Sequence, residues 1–338
     1  MEPLKNPAQG RSFLARIGRW ESILALIFVA VFVFNSFASP YFLNPTNLLD
    51  TTFTFVEKGL IALPMTLGII LGDIDISVEG IIALCSLVMG ALSQAGASTE
   101  VLVIAGLVVG LAAGLLNGLL ATRFAIPMIA VTIGGVSLFR GIAYAALGDQ
   151  AYTKYPASFA FFGQGYILGT HIPFELIVFV VFAVLFGILL HRTTFGRNVY
   201  AIGNNPTAAR FSGVRVERMR VVVSCLTGLM SGVAAILLTS RIGSTRPNIA
   251  NGWAMEIITT VVLGGVAITG GRGNIGGVIL GIFLLGFLKF GMSLINVMGT
   301  VQNIFSGVLL IVAILLPGWV AQRQEKARLR ITRGGEGR

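Results

Sequence analysis

The feature that most constrains this chain is a succession of apolar runs, most of them close to the length that crosses a lipid bilayer. A spanning helix needs about 20 predominantly apolar residues. Runs of that kind occupy roughly 22–38, 52–71, 77–95, 101–121, 127–147, 172–190, 221–240, 254–269, 276–296 and 300–316. Pro, Gly and charged residues punctuate the gaps. Of the 338 residues 55% are hydrophobic and only 11% charged, against roughly 25% charged in soluble domains. That is too little charge to cover a water-facing surface, whereas it suits a lipid-facing one. The 43 glycines fit the close helix approach of membrane bundles. The sequence therefore predicts an all-α, polytopic membrane helical bundle of about ten transmembrane helices. The run Ser22–Ala38 is long for the core of a signal peptide and is followed by further apolar runs, so it is expected to be a retained helix.

The formal net charge of +10 would suggest nucleic acid in a soluble protein, but here it reads as a topology signal. Basic residues concentrate in the N-terminal tail, at Arg123, in the 191–220 loop, at Arg272 and in the C-terminal tail. These segments alternate as the inner loops of ten crossings would. They hold 18 of the 24 basic residues, against three in the intervening loops (Lys154, Arg241 and Arg246). The positive-inside rule then places both ends in the cytoplasm. The expected organisation is a basic cytoplasmic tail over 1–21, a transmembrane domain over 22–316 and a second basic tail over 317–338. No nucleic-acid partner is expected; membrane lipid is.

Several polar groups fall where polar groups are scarce. Gly72-Asp-Ile-Asp-Ile-Ser is a helix start, with Asp75 or Ser77 able to cap it, or a broken segment that lines a solute path with Asp73. Asn117, Arg140 and Glu256 are further path candidates, Glu256 as an acceptor for a sugar hydroxyl. Lys58, Arg140 and Lys289 lie toward outer span ends, where snorkelling is the simpler expectation. Gly264 and Gly265 lead a glycine cluster that reads as close packing or as a gate. The aromatic residues of the 148–171 loop form an interfacial belt or a cap. In the 191–220 loop, residues 206–211 form a short helix candidate, with Asn205 as its cap, Pro206 in the first position and Gly213 to end it. Such a helix suits docking into another protein or contact with lipid headgroups.

The run Gly203-Asn-Asn-Pro-Thr-Ala-Ala-Arg-Phe-Ser-Gly-Val resembles the coupling loop of permeases in the ribose, xylose and arabinose class of bacterial ABC importers. Gly72-Asp-Ile-Asp-Ile-Ser-Val resembles the family's Gly-Gly-Ile-Asp-Leu-Ser-Val signature. Val261-Val-Leu-Gly-Gly and Phe139-Arg140-Gly141 resemble two further family stretches. The resemblance covers about residues 40–316. Two local runs, at 59–66 and 240–248, look most like the rhamnose and autoinducer-2 permeases. Asp73 and Glu79 stand where the family has glycines, and Gly80 where it has serine. The resemblance implies a type II ABC-importer fold in the bacterial cytoplasmic membrane. It implies that Gly203, Asn204, Asn205, Ala208, Ala209, Arg210, Ser212 and Gly213 rest on a separate ABC ATPase subunit. It also implies a second permease chain, identical or paralogous, and an extracytoplasmic solute-binding protein.

No Gly-Lys pair exists to start a phosphate-binding loop, so ATP is expected to be used by the partner and no cofactor held by this chain. His171 and His191 are the only histidines and fit no metal or catalytic pattern; no catalytic residue is expected. Cys85 and Cys225 read as small buried hydrophobes. The competing expectation is an ion-coupled secondary transporter, which needs a buried carboxylate relay at mid-membrane. A passive facilitator would need no docking loop.

Overall fold

The computed structural model describes residues 20–167, 169–309 and 311. Its helices are α1 (Trp20–Ala38), α2 (Pro45–Asp50), α3 (Val56–Leu71), α4 (Val78–Gln94), α5 (Thr99–Arg123), α6 (Met128–Leu147), the single turn α7 (Phe161–Gln164), α8 (Phe174–Arg192), α9 (Thr194–Asn204), α10 (Pro206–Phe211), α11 (Val216–Ile242), α12 (Trp253–Leu263) and α13 (Ile275–Leu294). Residues 299–309 are again helical. Both basic tails, apart from Trp20 and Glu21, and the end of the expected 300–316 span lie outside the described residues.

Among the described residues six helices are long and apolar enough to cross a membrane: α1, α5, α6, α8, α11 and α13. Pro45–Thr54 and α3, bent by 55° at their junction, are together long and apolar enough for a seventh if the pair is one broken span. The other two expected spans are shorter. α4 has 17 residues and α12 only 11. At 1.5 Å per residue α12 is about 16 Å long, half the hydrocarbon thickness. The apolar run 254–269 is thus not one helix: it stops at Leu263, where Gly264 and the left-handed Gly265 turn the chain.

α3 is the centre of the bundle. Every residue of it except Lys58 is buried, as a helix that is apolar all round requires. The peripheral helices show the opposite pattern. On α5, Ile104, Val108, Leu111, Leu115 and Leu119 form one exposed stripe. On α8, Val180, Val184 and Ile188 form another. In water such faces would drive aggregation; against acyl chains they are the solvent-matched surface. Where α5 crosses α11 the backbones touch. A Cβ on Gly110 would stand 2.5 Å from the Gly228 carbonyl oxygen, and Ser224 Oγ donates to the Gly114 carbonyl at 2.8 Å. Small residues at four-residue spacing permit that approach.

The 148–171 loop folds back onto the bundle. Phe159 is 1% exposed, Tyr155 stacks on it at 5.2 Å, and the Tyr155 hydroxyl meets Thr245 Oγ1 at 2.5 Å. Ser240 Oγ, at the end of α11, accepts from Gly163 N. These aromatics cap α11, while Phe161 and Tyr166 keep an exposed side.

Candidate functional site

Arg123, Arg192, Arg197, Arg210, Arg215, Arg218, Arg220 and Arg272 all lie at the same end of the bundle, termed here the basic end. There, local sequence builds the 191–220 segment as its residue types dictate. Thr193 Oγ1 caps α9 through Gly196 N. Asn205 Oδ1 accepts from Ala208 N at 2.9 Å, Pro206 takes the first turn of α10, and Gly213 adopts φ +86° just beyond its end. α10 is held by Ala209, which is buried, whereas Phe211 is 89% exposed. Arg210 pairs with Glu217 of α11.

α9 is joined to the bundle backbone to backbone. A Cβ on Gly203 would run into the Ile70 carbonyl oxygen, at the end of α3. The same oxygen accepts from Gly271 N at 2.8 Å. Asn204 Nδ2 donates to the Gly271 carbonyl and Tyr200 OH to the Gly273 carbonyl, at 3.4 and 2.6 Å. The expected docking segment, the end of α3 and the α12–α13 turn therefore form one joint. Gly264 lies in the same turn region, its Cα so close to α13 that a Cβ would stand 2.6 Å from Val278 Cα. Trp20 Nε1 donates to the Leu263 carbonyl beside Gly265. Both glycines are closely packed.

From that joint the chain re-enters the bundle. Residues 72–77 are non-helical and run inward, so that Ser77 meets Asn117, nearly two turns short of the α5 terminus. Asp75 Oδ1 accepts from Ser77 N at 2.8 Å and Ser77 Oγ at 2.5 Å, and Asn117 Nδ2 donates to Ser77 Oγ at 2.7 Å. Asp75 therefore closes a turn onto Ser77, the residue at the N-cap position of α4, where no side chain bonds the first helical N–H groups, and Ser77 links α4 to α5. Asp73 stays at the basic end, in a cleft of about 460 Å³ with Arg210, Glu217 and Arg220. Arg220 Nε is 3.1 Å from Asp73 Oδ2, an ion pair without hydrogen-bond alignment, as both atoms lack a hydrogen-bond partner. Burial pushes the Asp73 carboxyl above its ordinary pKa, and Arg220 partly offsets the rise.

A second interrupted segment enters from the opposite end. After α11 stops at Gly243, residues 243–252 dip beside α4. Thr245 bonds Ser86, and Arg140 donates to the Pro247 and Glu79 carbonyls at 3.4 and 3.3 Å. The Arg140 guanidinium also lies 3.7 Å from the Glu79 carboxylate, which accepts from Ala254 N at the start of α12. The two re-entrant segments thus meet through Glu79 and Arg140. Non-helical backbone at this depth is tolerated only where protein or a polar cavity faces it.

Glu57, Lys58, Glu256 and Lys289 pair rather than snorkel. Glu57 and Lys58 are neighbours that point apart. Glu57, fully buried, takes a bidentate contact from Arg241 at 2.9 Å. Lys58 reaches both oxygens of Glu256 at 2.9 Å, and Lys289 reaches Glu256 at 2.8 Å. This triad floors a cleft of about 610 Å³ that opens at the end away from the arginines. Glu175, also fully buried near the Glu57–Arg241 pair, has no hydrogen-bond partner on either oxygen. In the sequence Arg241 lies just beyond the 221–240 apolar run and Glu175 within the 172–190 run. Partners nearly 200 residues apart leave no local trace; only the presence of a carboxylate within an apolar stretch could have flagged them.

Cys85 and Cys225 are both unpaired thiols. Among the described residues no group of three or more His, Cys, Asp or Glu side chains could hold a metal.

The chain matches, over residues 47–314, a family model described as branched-chain amino acid transport system, permease component. It is 37% identical over 292 residues to the ribose import permease protein RbsC of Bacillus subtilis, covering 86% of this chain and 90% of that protein. It is 36% identical over 302 residues to the autoinducer 2 import system permease protein LsrD of Yersinia enterocolitica, covering 88% and 91%. The LsrD of Photorhabdus temperata is 32% identical over 323 residues, covering 91% and 96%. No solved structure matches. The re-entrant, multi-pass architecture and the match across nearly all of the membrane region agree, and the chain belongs to this family of transport-system permeases, as the non-enzymatic, membrane-spanning permease subunit of an ABC importer.

Proposed function

We propose that the chain carries a small sugar or sugar-derived solute into the bacterial cell across the cytoplasmic membrane, driven by ATP that a separate ABC ATPase subunit hydrolyses. The relatives named above favour ribose or autoinducer 2 over rhamnose as the type of solute. The basic end faces the cytoplasm, as the positive-inside rule requires. An extracytoplasmic binding protein delivers solute at the other end, and a second permease chain, identical or paralogous, completes the membrane unit.

The observation that carries this reading is Phe211. A large apolar side chain at 89% exposure sits on a capped helix beside exposed arginines, at the protein's basic end. An apolar pocket in a partner would cover it. The docking surface is Asn205, Ala208, Arg210, Phe211, Ser212 and Gly213, with Ala209 packing α10 from behind and Gly203 and Asn204 joining the segment to the bundle. ATPase closure moves α9 and α10, and the joint at Ile70 and Gly271 passes the movement to α3 and α12. Solute passes from Glu256 in the outer cleft, past the Arg140–Glu79 contact, to Asp73 in the basic cleft. Asp75, Ser77 and Asn117 hold the wall of that path, and Gly264 and Gly265 keep α12 against α13 and α1.

In proteoliposomes carrying permeases, ATPase and binding protein, uptake of labelled ribose or autoinducer 2 should require ATP, and Phe211→Ser should abolish it while leaving permease insertion intact. Glu175 favours one other reading, since a buried carboxyl without a partner is what a proton-coupled carrier would hold. Uptake that continues without ATP and stops when the proton gradient is collapsed would establish that reading instead.

A further inference from the structure

We propose that the cleft at the end opposite the arginines binds a neutral single-ring polyol, gripped through two neighbouring hydroxyls by the Lys58–Glu256–Lys289 triad. This assignment rests on the sugar-importer reading above and adds the place and manner of recognition.

The cleft measures about 610 Å³, within the range of about 300–1,000 Å³ typical of small-molecule sites. Its floor is a row of donor, acceptor and donor: Lys58 Nζ, the Glu256 carboxylate and Lys289 Nζ, with contacts of 2.8–2.9 Å. The two ammonium groups share one carboxylate, so the row is rich in donors. Lys289 has three N–H groups and one acceptor in the triad. All three side chains remain 17–19% exposed. The contrast with Glu57 is direct: that carboxylate is sealed, with both oxygens satisfied by one guanidinium. A sealed pair is structural, whereas the triad keeps unspent donors toward a cavity.

Each hydroxyl of a sugar both donates and accepts. One hydroxyl can donate to Glu256 and accept from Lys289, while its neighbour donates to Glu256 and accepts from Lys58. Both hydroxyls use N–H groups that the triad leaves unspent, so Glu256 keeps its contacts to the two ammonium groups. Phe55 and Phe290 line the same cleft and offer apolar surface to ring C–H groups. Trp253 holds Lys58 in place, its ring centroid 5.1 Å from Nζ. At the rim, the amide of Gln302 spends its N–H donors on Ser293 and Val297, which leaves its carbonyl as an acceptor for a further hydroxyl. Asp50 is held at the rim by the Tyr166 hydroxyl at 2.8 Å.

The test uses the assembled transporter in proteoliposomes, with Leu294→Cys in the cleft lining and Cys225→Ser to remove the partly exposed native thiol. The rate of labelling at position 294 by a membrane-impermeant maleimide is followed against D-ribose, 2-deoxy-D-ribose and D-ribonate. D-ribose should slow labelling, and Lys289→Met should raise the half-protecting concentration about tenfold, the loss of one charged hydrogen bond. Lys289→Arg should keep most of the protection, which separates recognition from misfolding. 2-Deoxy-D-ribose should protect less well than D-ribose. No protection by D-ribose, or protection unchanged in Lys289→Met, overturns the site; D-ribonate protecting better than D-ribose overturns its preference for a neutral solute. ATP-driven uptake of the same sugar is measured alongside. Uptake without protection sinks the site and leaves the importer reading standing, while protection without ATP-driven uptake does the reverse.

Discussion

Gly203 lies against the carbonyl of Ile70 with no room for a side chain between them. The oxygen there already accepts a hydrogen bond from Gly271 N. One peptide group thus receives α9 on one side and the α12–α13 turn on the other. The joint is rigid because its contacts are backbone to backbone, so a displacement of α9 is shared by α3, the bundle's central helix, and by α12.

Gly203→Ala tests that rigidity. The new methyl must displace either Ile70 or α9, an overpacking cost of about 1–3 kcal/mol. ATP-driven uptake should fall sharply in proteoliposomes. ATPase subunits should still bind, since Phe211 and Arg210 are untouched. Uptake at the wild-type rate would show that α9 moves independently of α3.

Breaking the Glu57–Arg241 pair should be among the costliest single changes. Arg241→Ala leaves a fully buried carboxylate next to a second one, Glu175. Removing one partner of a buried pair costs about 3–5 kcal/mol. The melting temperature in detergent should drop markedly for Arg241→Ala, and the double change Glu57→Gln with Arg241→Gln should recover much of it. Equal losses in the single and double variants would contradict a charge-pairing role.

Asp73 gives a pH dependence with a definite sign. Its carboxyl is held above the ordinary value by burial, with Arg220 opposing, so the folded protein takes up this proton more readily than the unfolded chain. The ionised form therefore costs stability above the raised pKa, and the cost fades as pH falls through it toward the ordinary aspartate range. Asp73→Asn removes the titration. Comparing melting curves from neutral pH downward, wild type should gain on Asp73→Asn as the solution becomes more acidic. A gap that stays constant, or widens against wild type, would show that Arg220 outweighs burial.

Much of the framework was legible because its signals are local. Apolar length marks the crossings, and α10 was readable to its ends because Asn205, Pro206 and Gly213 each act within a few residues. Depth was not legible. The run 254–269 looks like one span, because nothing in its hydropathy shows that Gly264 and Gly265 turn the chain after 11 helical residues. Nor does it show that the stretch before Trp253 already lies within the bundle. The charged partners were hidden for a related reason. Glu57 and Lys58 are adjacent in sequence yet serve different helices, because successive residues on a helix point about 100° apart. Arg241 and Glu256, their partners, lie 184 and 198 residues away. Gly203 appeared as part of a family-like loop, but only the meeting of three backbones explains why it is glycine.

The central claim is that α10 faces the cell interior and offers Phe211 to an energy-supplying subunit. The most direct measurement is labelling of Phe211→Cys, in a Cys225→Ser background, by a membrane-impermeant maleimide in intact and in permeabilised cells. The account predicts no labelling of intact cells, ready labelling once the membrane is opened, and protection when the ATPase subunit is co-expressed. Labelling from outside intact cells would contradict it.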